Sequence, residues 1–261
     1  LDGLETYPAT AGTAELRAAS SGWLGRRYGI PAPDPATQVL PVNGSREALF
    51  SFAQAVLNPM PGCKVVCPNP FYQIYEGAAL LGGATPVYGE PEGWAGVQLI
   101  YACSPANPSG RVMRLGEWQA LFELSDRHGF VIASDECYSE IYFDQPPLGA
   151  LEAAYRLNRK DFRNLVVFSS LSKRSNAPGM RSGFVAGDAG LLKSFLRYRT
   201  YHGSAMSLAV QKASIAAWND EDHVRENRRL YAEKFDAVLP RVKAARPDAA
   251  FYIWLPTPID D

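Results

Sequence analysis

The sequence predicts an α/β fold, with three α/β/α layers around a mostly parallel sheet and an incomplete second, smaller α+β domain. Short apolar runs of strand length alternate with amphipathic stretches up to about residue 190, after which the chain is mostly helical. Such alternation is typical of parallel sheets that are covered by helices on both faces. Apolar residues make up 47% of the 261 residues and charged residues 20%, which is enough apolar material for a large core.

Hydrophobic periodicity predicts the elements in order along the chain. A helix is predicted at residues 46–57, because its apolar residues recur on one face, with Ser45 as its cap. Two further helices are predicted at residues 74–81 and 115–128, the second ended by Gly129 in a left-handed conformation. The predicted strands are residues 64–68, 85–88, 98–103, 130–133, 165–168, 183–186 and 250–255.

The same pattern predicts three segments of the chain. Residues 1–20 form an N-terminal segment, residues 21–217 a large ligand-binding domain, and residues 218–261 the start of a small C-terminal domain. The second boundary lies near Trp218, where the alternation of strands and helices gives way to helices. The sequence has no initial methionine and no signal-peptide pattern, and it stops after a strand-like run, so we expect a chain cut at both ends.

Charge and cysteine usage exclude several classes of protein. The 26 basic and 27 acidic residues give a net charge of −1 without a basic stripe, which argues against a nucleic-acid partner. No run of 18 apolar residues is present, so we expect no membrane span. The four cysteines fit buried, reduced thiols of a cytoplasmic protein. We expect no metal site, because the sequence has no CxxC pair and its three histidines lie in unrelated segments.

A lysine lies in a serine-rich turn directly after the predicted strand at residues 165–168. Lys173 is followed by Arg174 and, eight residues beyond the lysine, by Arg181. Cationic neighbours favour the neutral form of an amine, which Schiff-base chemistry requires. Ser170, Ser172 and Arg181 are suited to bind an anion, since arginine presents a planar fork to a phosphate. Taken alone, the motif fits an ordinary solvated loop about equally well.

An aspartate closes the predicted strand at residues 130–133. A buried carboxylate such as that of Asp135 is costly without a cationic partner, and a protonated pyridine nitrogen is one such partner. Tyr138, three residues later, is close enough to reach a phenolic oxygen on the same ring. Taken alone, Asp135 fits a helix cap better.

Three further strand ends carry polar or aromatic residues. Asn107 lies in a Pro-Ser-Gly run that is typical of a type I turn. Ser45 and Arg46 follow Gly44 at a helix N-terminus, where free N–H groups and the helix dipole favour a phosphate. Tyr72 follows another strand and can stack on a flat ring, although core packing is the commoner role of a single tyrosine.

The order of these motifs resembles the signature of fold-type I pyridoxal-phosphate (PLP) aminotransferases, from about residue 7 to residue 255. The resemblance implies that Lys173 is the Schiff-base lysine, Asp135 the partner of the pyridine nitrogen, and Asn107 and Tyr138 the ligands of the ring oxygen. Lys173, Asp135 and Tyr138 are thereby the implied catalytic residues. The implied phosphate ligands and stacking residue are Ser45, Arg46, Ser170, Arg181 and Tyr72.

The stretch from Tyr7 to Gly12 is similar to the segment of this family whose tyrosine reaches the phosphate of the neighbouring subunit. The resemblance therefore implies a homodimer in which residues 1–20 cross to the partner. A loop tyrosine that packs on its own subunit is the alternative.

Within the family, Pro68–Tyr75 and Ser170–Asn176 look most like succinyldiaminopimelate aminotransferases of lysine and peptidoglycan precursor biosynthesis. This resemblance implies transfer of an amino group from N-succinyl-LL-2,6-diaminopimelate to 2-oxoglutarate. Two alternatives stay open: another fold-type I PLP enzyme, such as a different amino-acid aminotransferase, a C–S lyase or a decarboxylase, and a non-catalytic PLP-binding regulatory module. The sequence departs from the family in having no glycine-containing substrate segment near its start and no C-terminal arginine for the substrate α-carboxylate. The connection between Tyr88 and Gln98 is also short for the family.

Overall fold

A computed structural model describes residues 5–203 and 205–255, and its centre is a seven-stranded sheet. The strands are β1 (Val39–Val42), β2 (Lys64–Cys67), β3 (Thr85–Tyr88), β4 (Val97–Cys103), β5 (Val131–Asp135), β6 (Leu165–Ser170) and β7 (Gly183–Gly187). They lie in the order β1-β7-β6-β5-β4-β2-β3. Strand β7 is antiparallel to both neighbours, and the other strands run parallel to one another, which confirms the predicted sheet.

Helices cover both faces of this sheet. They are α1 (Ala14–Tyr28), α2 (Ser45–Val56), α3 (Ile74–Leu81), α4 (Leu115–His128), α5 (Ala150–Arg156), α6 (Leu171–Arg174), α7 (Ala189–His202), α8 (Leu208–Asn219) and α9 (Asp222–Val242). Neighbouring strand residues face opposite cores, because strand side chains alternate. Ile100 belongs to the core that contains residues of α1, α4, α5 and α8, whereas Leu99 belongs to the core that contains residues of α2, α3 and α7. The three-layer prediction is therefore confirmed.

Helix α1 and strand β1 are not predicted by the sequence pattern, and both are well formed. The hydroxyl of Thr13 accepts the N–H of Leu16 at 3.3 Å, and Gly29 ends α1 in the left-handed region at φ 62°. Trp23 on this helix is almost fully buried, so the helix depends on tertiary packing more than on its serine-rich sequence. By contrast, the prediction that Gly129 ends α4 is confirmed by its φ of 79°.

The predicted strand at residues 250–255 is wrong. Ala249 makes one isolated antiparallel bridge to Tyr142, and Ala250 then adopts φ 68°, a left-handed conformation that interrupts an extended chain. The alternating aromatic residues that suggest a strand pack instead against the segment after β5. Phe251 and Tyr252 both contact the ring of Tyr138.

The predicted division at residues 20 and 217 remains a prediction, and both positions fall within helices. Position 20 lies in α1, and position 217 lies in α8, which contacts α1. The predicted terminal segments include residues 1–4 and 256–261, which lie outside the described residues.

All four cysteines are free and buried, as predicted. Within residues 5–203 and 205–255, no helix combines the length and apolar character that a bilayer crossing requires.

Candidate active site

One edge of the sheet gathers the residues that the sequence analysis singles out. The carboxyl ends of β1, β2, β4, β5 and β6 meet there, together with the start of antiparallel β7. A cavity of about 530 Å³ opens at this edge. Its lining residues are Ser45, Arg46, Tyr72, Asn107, Asp135, Cys137, Tyr138, Ser170, Ser172, Lys173, Pro178, Arg181 and Tyr252.

Tyr7 is the one predicted site residue that does not line this cavity. Its side chain is fully exposed. A larger cavity of about 650 Å³ lies elsewhere and contains none of the predicted residues. Arginines in its wall pair with acidic residues, among them Arg114 with Asp248 and Arg156 with Glu152, so they are already neutralised.

Asp135 ends β5 with its carboxylate buried beside the cavity. The hydroxyl of Tyr75 donates to Oδ2 at 2.7 Å, and the backbone N–H of Cys137 donates to Oδ1 at 3.2 Å. Burial raises the pKa of Asp135, and these donors oppose that rise. The N–H of Cys137 belongs to a turn, so Asp135 does not cap a helix. A fixed, desolvated carboxylate of this kind favours a cationic partner.

Tyr75 is a site residue that the sequence analysis does not single out. It is fully buried, and its ring stacks on Tyr101 with the centroids 4.6 Å apart. Burial, followed by the charge of Asp135, raises the pKa of Tyr75 well above its usual value, so the phenol remains a donor. Tyr75 follows Tyr72 by three residues, and residues at this spacing share one side of a helical turn. This spacing is the signal in the sequence that could have identified Tyr75.

The hydroxyl of Tyr138 is hydrogen-bonded to that of Tyr252, with the oxygens 2.5 Å apart. Burial is the main cause that raises the pKa of both phenols. Tyr252 therefore belongs to the cavity wall, and the sequence analysis misses it because it assigns this residue to a strand. Asn107 lines the same cavity from the turn after β4, where its backbone N–H donates to Sγ of Cys103 at 3.4 Å.

Lys173 lies on α6, a single helical turn that directly follows β6. Its Nζ lies 5.1 Å from the centroid of the Phe251 ring, and its backbone oxygen accepts a hydrogen bond from Asn227 at 3.3 Å. The neighbouring Arg174 points away from the cavity and is almost fully buried. Its guanidinium donates to Glu221 at 2.5 Å, so its charge is neutralised rather than presented to the lysine.

The turn between β1 and α2 lies against Arg181. Gly44 has φ 90°, and a Cβ on Gly44 would lie 2.5 Å from Nη2 of Arg181. The φ of 90° is what favours glycine here, because the guanidinium is the end of a flexible side chain and can shift. Helix α2 begins at Ser45, and Gly44 occupies the cap position. The prediction that Ser45 caps this helix is therefore wrong. Ser170 points its hydroxyl at Sγ of Cys137 across 3.7 Å. Hydroxyls, an arginine and a helix N-terminus are thus gathered on one side of the cavity.

Arg46 extends to the aromatic side of the cavity. Its Nε donates to the hydroxyl of Tyr72 at 2.5 Å, and its guanidinium carbon lies 5.7 Å from the centroid of that ring. The Tyr72 ring in turn meets Tyr75 edge-on at 5.8 Å.

Glu136, the residue after Asp135, has a second buried carboxylate. Glu136 accepts hydrogen bonds from Tyr28 Oη at 2.9 Å, Ser134 Oγ at 3.0 Å and the Ala150 N–H at 2.7 Å. Burial outweighs these donors and raises the pKa of Glu136 to about 7.

We expect Glu136→Gln to flatten the pH dependence of stability. In the folded protein the pKa of Glu136 is about 7, whereas the carboxyl loses its proton near the usual glutamate pKa of 4.5 in the unfolded chain. The contribution of this group to the free energy of unfolding is thus greatest below that value, and it falls by up to about 3 kcal/mol as the pH rises through 7. Urea unfolding at pH 5 and pH 8 measures the difference.

The exposed Glu90→Gln substitution is the control and should leave the pH dependence unchanged. An equal change in stability between pH 5 and pH 8 in Glu136→Gln and the unsubstituted protein would contradict the prediction.

Comparison with known proteins identifies the family. Residues 2–258 match the family described as aminotransferase class I and II. A crystal structure of an aminotransferase from Neisseria meningitidis superposes with a TM-score of 0.93 at 56% identity, covering 98% of this chain and 70% of that one. The 4-dedimethylamino-4-oxo-anhydrotetracycline transaminase of Streptomyces rimosus is 37% identical over 87% of this chain and 62% of its own length. An LL-diaminopimelate aminotransferase of Nitratidesulfovibrio vulgaris is 32% identical over 97% of this chain and 69% of its own length.

The match covers nearly all of this chain but only part of its relatives. The chain spans about three fifths of the length of two curated relatives that it matches. The match over residues 2–258 nevertheless includes every strand of the sheet and every residue of the cavity wall. The chain therefore belongs to the class I and II aminotransferases, a family of PLP-dependent proteins.

Proposed function

We propose that the protein is a PLP-dependent aminotransferase that moves an amino group between an amino acid and 2-oxoglutarate. One cavity brings together the amine of Lys173, the buried carboxylate of Asp135 and an anion-binding cluster around Arg181. This combination is the observation that carries the proposal. Membership of the aminotransferase family supports it.

The donors and acceptors of the cavity fit the polar groups of PLP. A pyridinium N–H needs an acceptor, and the buried carboxylate of Asp135 accepts from Tyr75 and Cys137 but has no cationic partner among the described residues. Asn107 and Tyr138 are the ligands proposed for the ring oxygen, and Tyr72 is the residue proposed to stack on the ring. The proposed phosphate ligands are Ser45, Arg46, Ser170 and Arg181.

Each proposed catalytic residue has a distinct task. Bound PLP supplies an electron-withdrawing ring that stabilises negative charge at the substrate α-carbon. Lys173 would hold the cofactor through Nζ and, once free, take the proton from the substrate α-carbon as a general base. Asp135 would keep a proton on the pyridine nitrogen, and Tyr138 would hold the ring oxygen through its hydroxyl.

For the amino donor we propose N-succinyl-LL-2,6-diaminopimelate, which would place the reaction in lysine and peptidoglycan precursor biosynthesis. The resemblance of the segments Pro68–Tyr75 and Ser170–Asn176 to succinyldiaminopimelate aminotransferases supports this choice. A relative named as an LL-diaminopimelate aminotransferase supports it as well. We further propose a cytoplasmic location, which fits four buried free thiols.

Incubation of the PLP-loaded protein with amino donor and 2-oxoglutarate tests the reaction. We expect glutamate to accumulate without pyruvate or ammonia, and no glutamate to form when the donor is omitted. Pyruvate and ammonia would indicate a β-eliminating enzyme of the same fold. PLP binding without any product would indicate a regulatory module. Either result would overturn the proposal.

We also propose a homodimer in which Tyr7 reaches the phosphate bound by the partner subunit. The full exposure of Tyr7 on its own subunit supports this role, because nothing on that subunit covers its ring. Tyr7→Phe should then weaken PLP affinity about tenfold, as expected for one hydrogen bond to a charged group. Sedimentation tests the dimer and absorbance titration tests Tyr7. A catalytically active monomer would contradict the shared site, and unchanged PLP affinity would remove Tyr7 from it.

A further inference from the structure

Two phenol hydroxyls meet in the wall of the candidate active-site cavity, although their residues lie 114 positions apart in the chain. Tyr138 follows β5, and Tyr252 lies in the segment after α9. The backbone fixes this segment, because the N–H of Ala250 donates to the oxygen of Ile141 at 2.7 Å. The ring of Phe251 then packs edge-on against Tyr138, with 5.2 Å between the centroids. A main-chain hydrogen bond and ring packing therefore hold the two hydroxyls together.

This pair of phenols has one proton more than its mutual hydrogen bond uses. Burial is the main cause that raises the pKa of both phenols, so both keep their protons. A phenol hydroxyl donates once and also accepts, and the bond between the two oxygens, 2.5 Å apart, uses one of the two protons. The second proton is available to a ligand in the cavity that Tyr138 and Tyr252 both line.

A ligand that accepts the proton of Tyr138 fixes the direction of the bond between the phenols. Tyr138 is the residue proposed to hold the ring oxygen of PLP, which is a good acceptor when it carries negative charge. Once the proton of Tyr138 is directed to that oxygen, only the hydroxyl of Tyr252 can donate within the pair. Two hydrogen bonds then form a chain, from Tyr252 to Tyr138 and from Tyr138 to the ring oxygen.

We infer that Tyr252 is a positioning residue that donates to Tyr138 and thereby sets how strongly Tyr138 binds the ring oxygen of the cofactor. Hydrogen bonds in a chain strengthen one another, because a hydroxyl that accepts a hydrogen bond becomes a better donor. This inference rests on the proposed function, because it requires bound PLP with Tyr138 as a ligand of its ring oxygen.

The visible absorbance of the PLP-loaded protein, measured against pH without any substrate, tests this chain. Negative charge on the ring oxygen helps the coloured cofactor to hold a proton, so weaker donors to that oxygen raise the pH midpoint of the colour change. Tyr252→Phe keeps the ring but breaks the chain, and it should raise the midpoint by about 0.5 to 1 unit. Tyr138→Phe removes the direct donor and should raise the midpoint by about 1 to 2 units, as expected for a hydrogen bond to a charged group.

The double variant separates an indirect role of Tyr252 from a direct one. If Tyr252 acts through Tyr138, its hydroxyl has no acceptor in the Tyr138→Phe background, so the double variant should have the midpoint of Tyr138→Phe alone. Two phenols that each contact the ring oxygen would instead give shifts that add. Absorbance titration of Tyr252→Phe should show PLP affinity within about threefold of the unsubstituted protein, because the proposed phosphate ligands are intact.

The matched control is Tyr231→Phe, which removes a phenol hydroxyl from the ring that stacks on Phe251 and lies outside the described lining of the cavity. This control should leave the midpoint unchanged. An unchanged midpoint in Tyr252→Phe, an equal shift in Tyr231→Phe, or shifts that add in the double variant would overturn the inference. Failure of the proposed function is a separate outcome: the unsubstituted protein would form no glutamate in the transamination assay, and the midpoint, which needs no amino donor, would still test Tyr252.

Discussion

Replacing Lys173 with alanine is expected to abolish transamination, with a loss of about four orders of magnitude or more in turnover. Lys173 is the one lysine among the described residues that line the cavity, and it is the group proposed to hold the cofactor and to move the substrate proton. Borohydride reduction followed by peptide mass analysis should place the mass of the reduced cofactor on the peptide that contains Lys173. The Lys173→Ala protein should carry no such mass on any peptide.

The exposed Lys160→Ala substitution provides the control and should retain both the labelled peptide and wild-type turnover. A Lys173→Ala protein that transaminates at the wild-type rate would remove Lys173 from the reaction and would falsify the proposed mechanism.

The second large effect is expected for Asp135→Asn. Asparagine keeps the shape of the side chain and can still accept the hydrogen bond of Tyr75, but it removes the charge proposed to hold a proton on the pyridine nitrogen. We expect PLP to stay bound through its phosphate, while the proton-transfer step slows by about two to three orders of magnitude. Single-turnover absorbance measurements resolve this step from binding.

Stability gives an independent check on the same substitution. Burial raises the pKa of Asp135, so its ionised form is costly in the protein without cofactor. Asp135→Asn should therefore not lower the free energy of unfolding of that form. The exposed Asp161→Asn substitution is the control for both measurements. Unchanged single-turnover rates in Asp135→Asn would reduce Asp135 to a structural residue.

The sequence predicts the layers of the fold and most of the cavity because these depend on local patterns. Asp135 and Lys173 each follow an apolar run, and parallel strands bring their carboxyl ends to one edge. Tyr75 is different, since its role depends on contact with a carboxylate 60 residues away in the chain. That contact requires the packing of α3 on the sheet, which periodicity does not specify.

Backbone conformation explains the remaining differences. The alternating residues after 249 have the composition of a strand, yet Ala250 at φ 68° turns the chain so that Tyr252 meets Tyr138. An alanine gives no signal for a left-handed conformation, which tertiary contacts impose here. Gly44 is the opposite case, because glycine adopts a positive φ more readily than any other residue and its presence indicates such a conformation in advance.

The buried guanidinium of Arg174, the residue after Lys173, has a mechanical consequence. The guanidinium carbon of Arg174 lies 5.4 Å from the ring centroid of Trp23 and 4.9 Å from that of Trp218, and the guanidinium donates a hydrogen bond to Glu221. Asn227, on the first turns of α9, holds the backbone oxygen of Lys173. These contacts join the lysine turn to the start of α9, and a close-packed interior transmits displacement instead of absorbing it. We therefore expect a tilt of α9 to change how far the amine of Lys173 reaches, even though no residue of that helix lines the cavity.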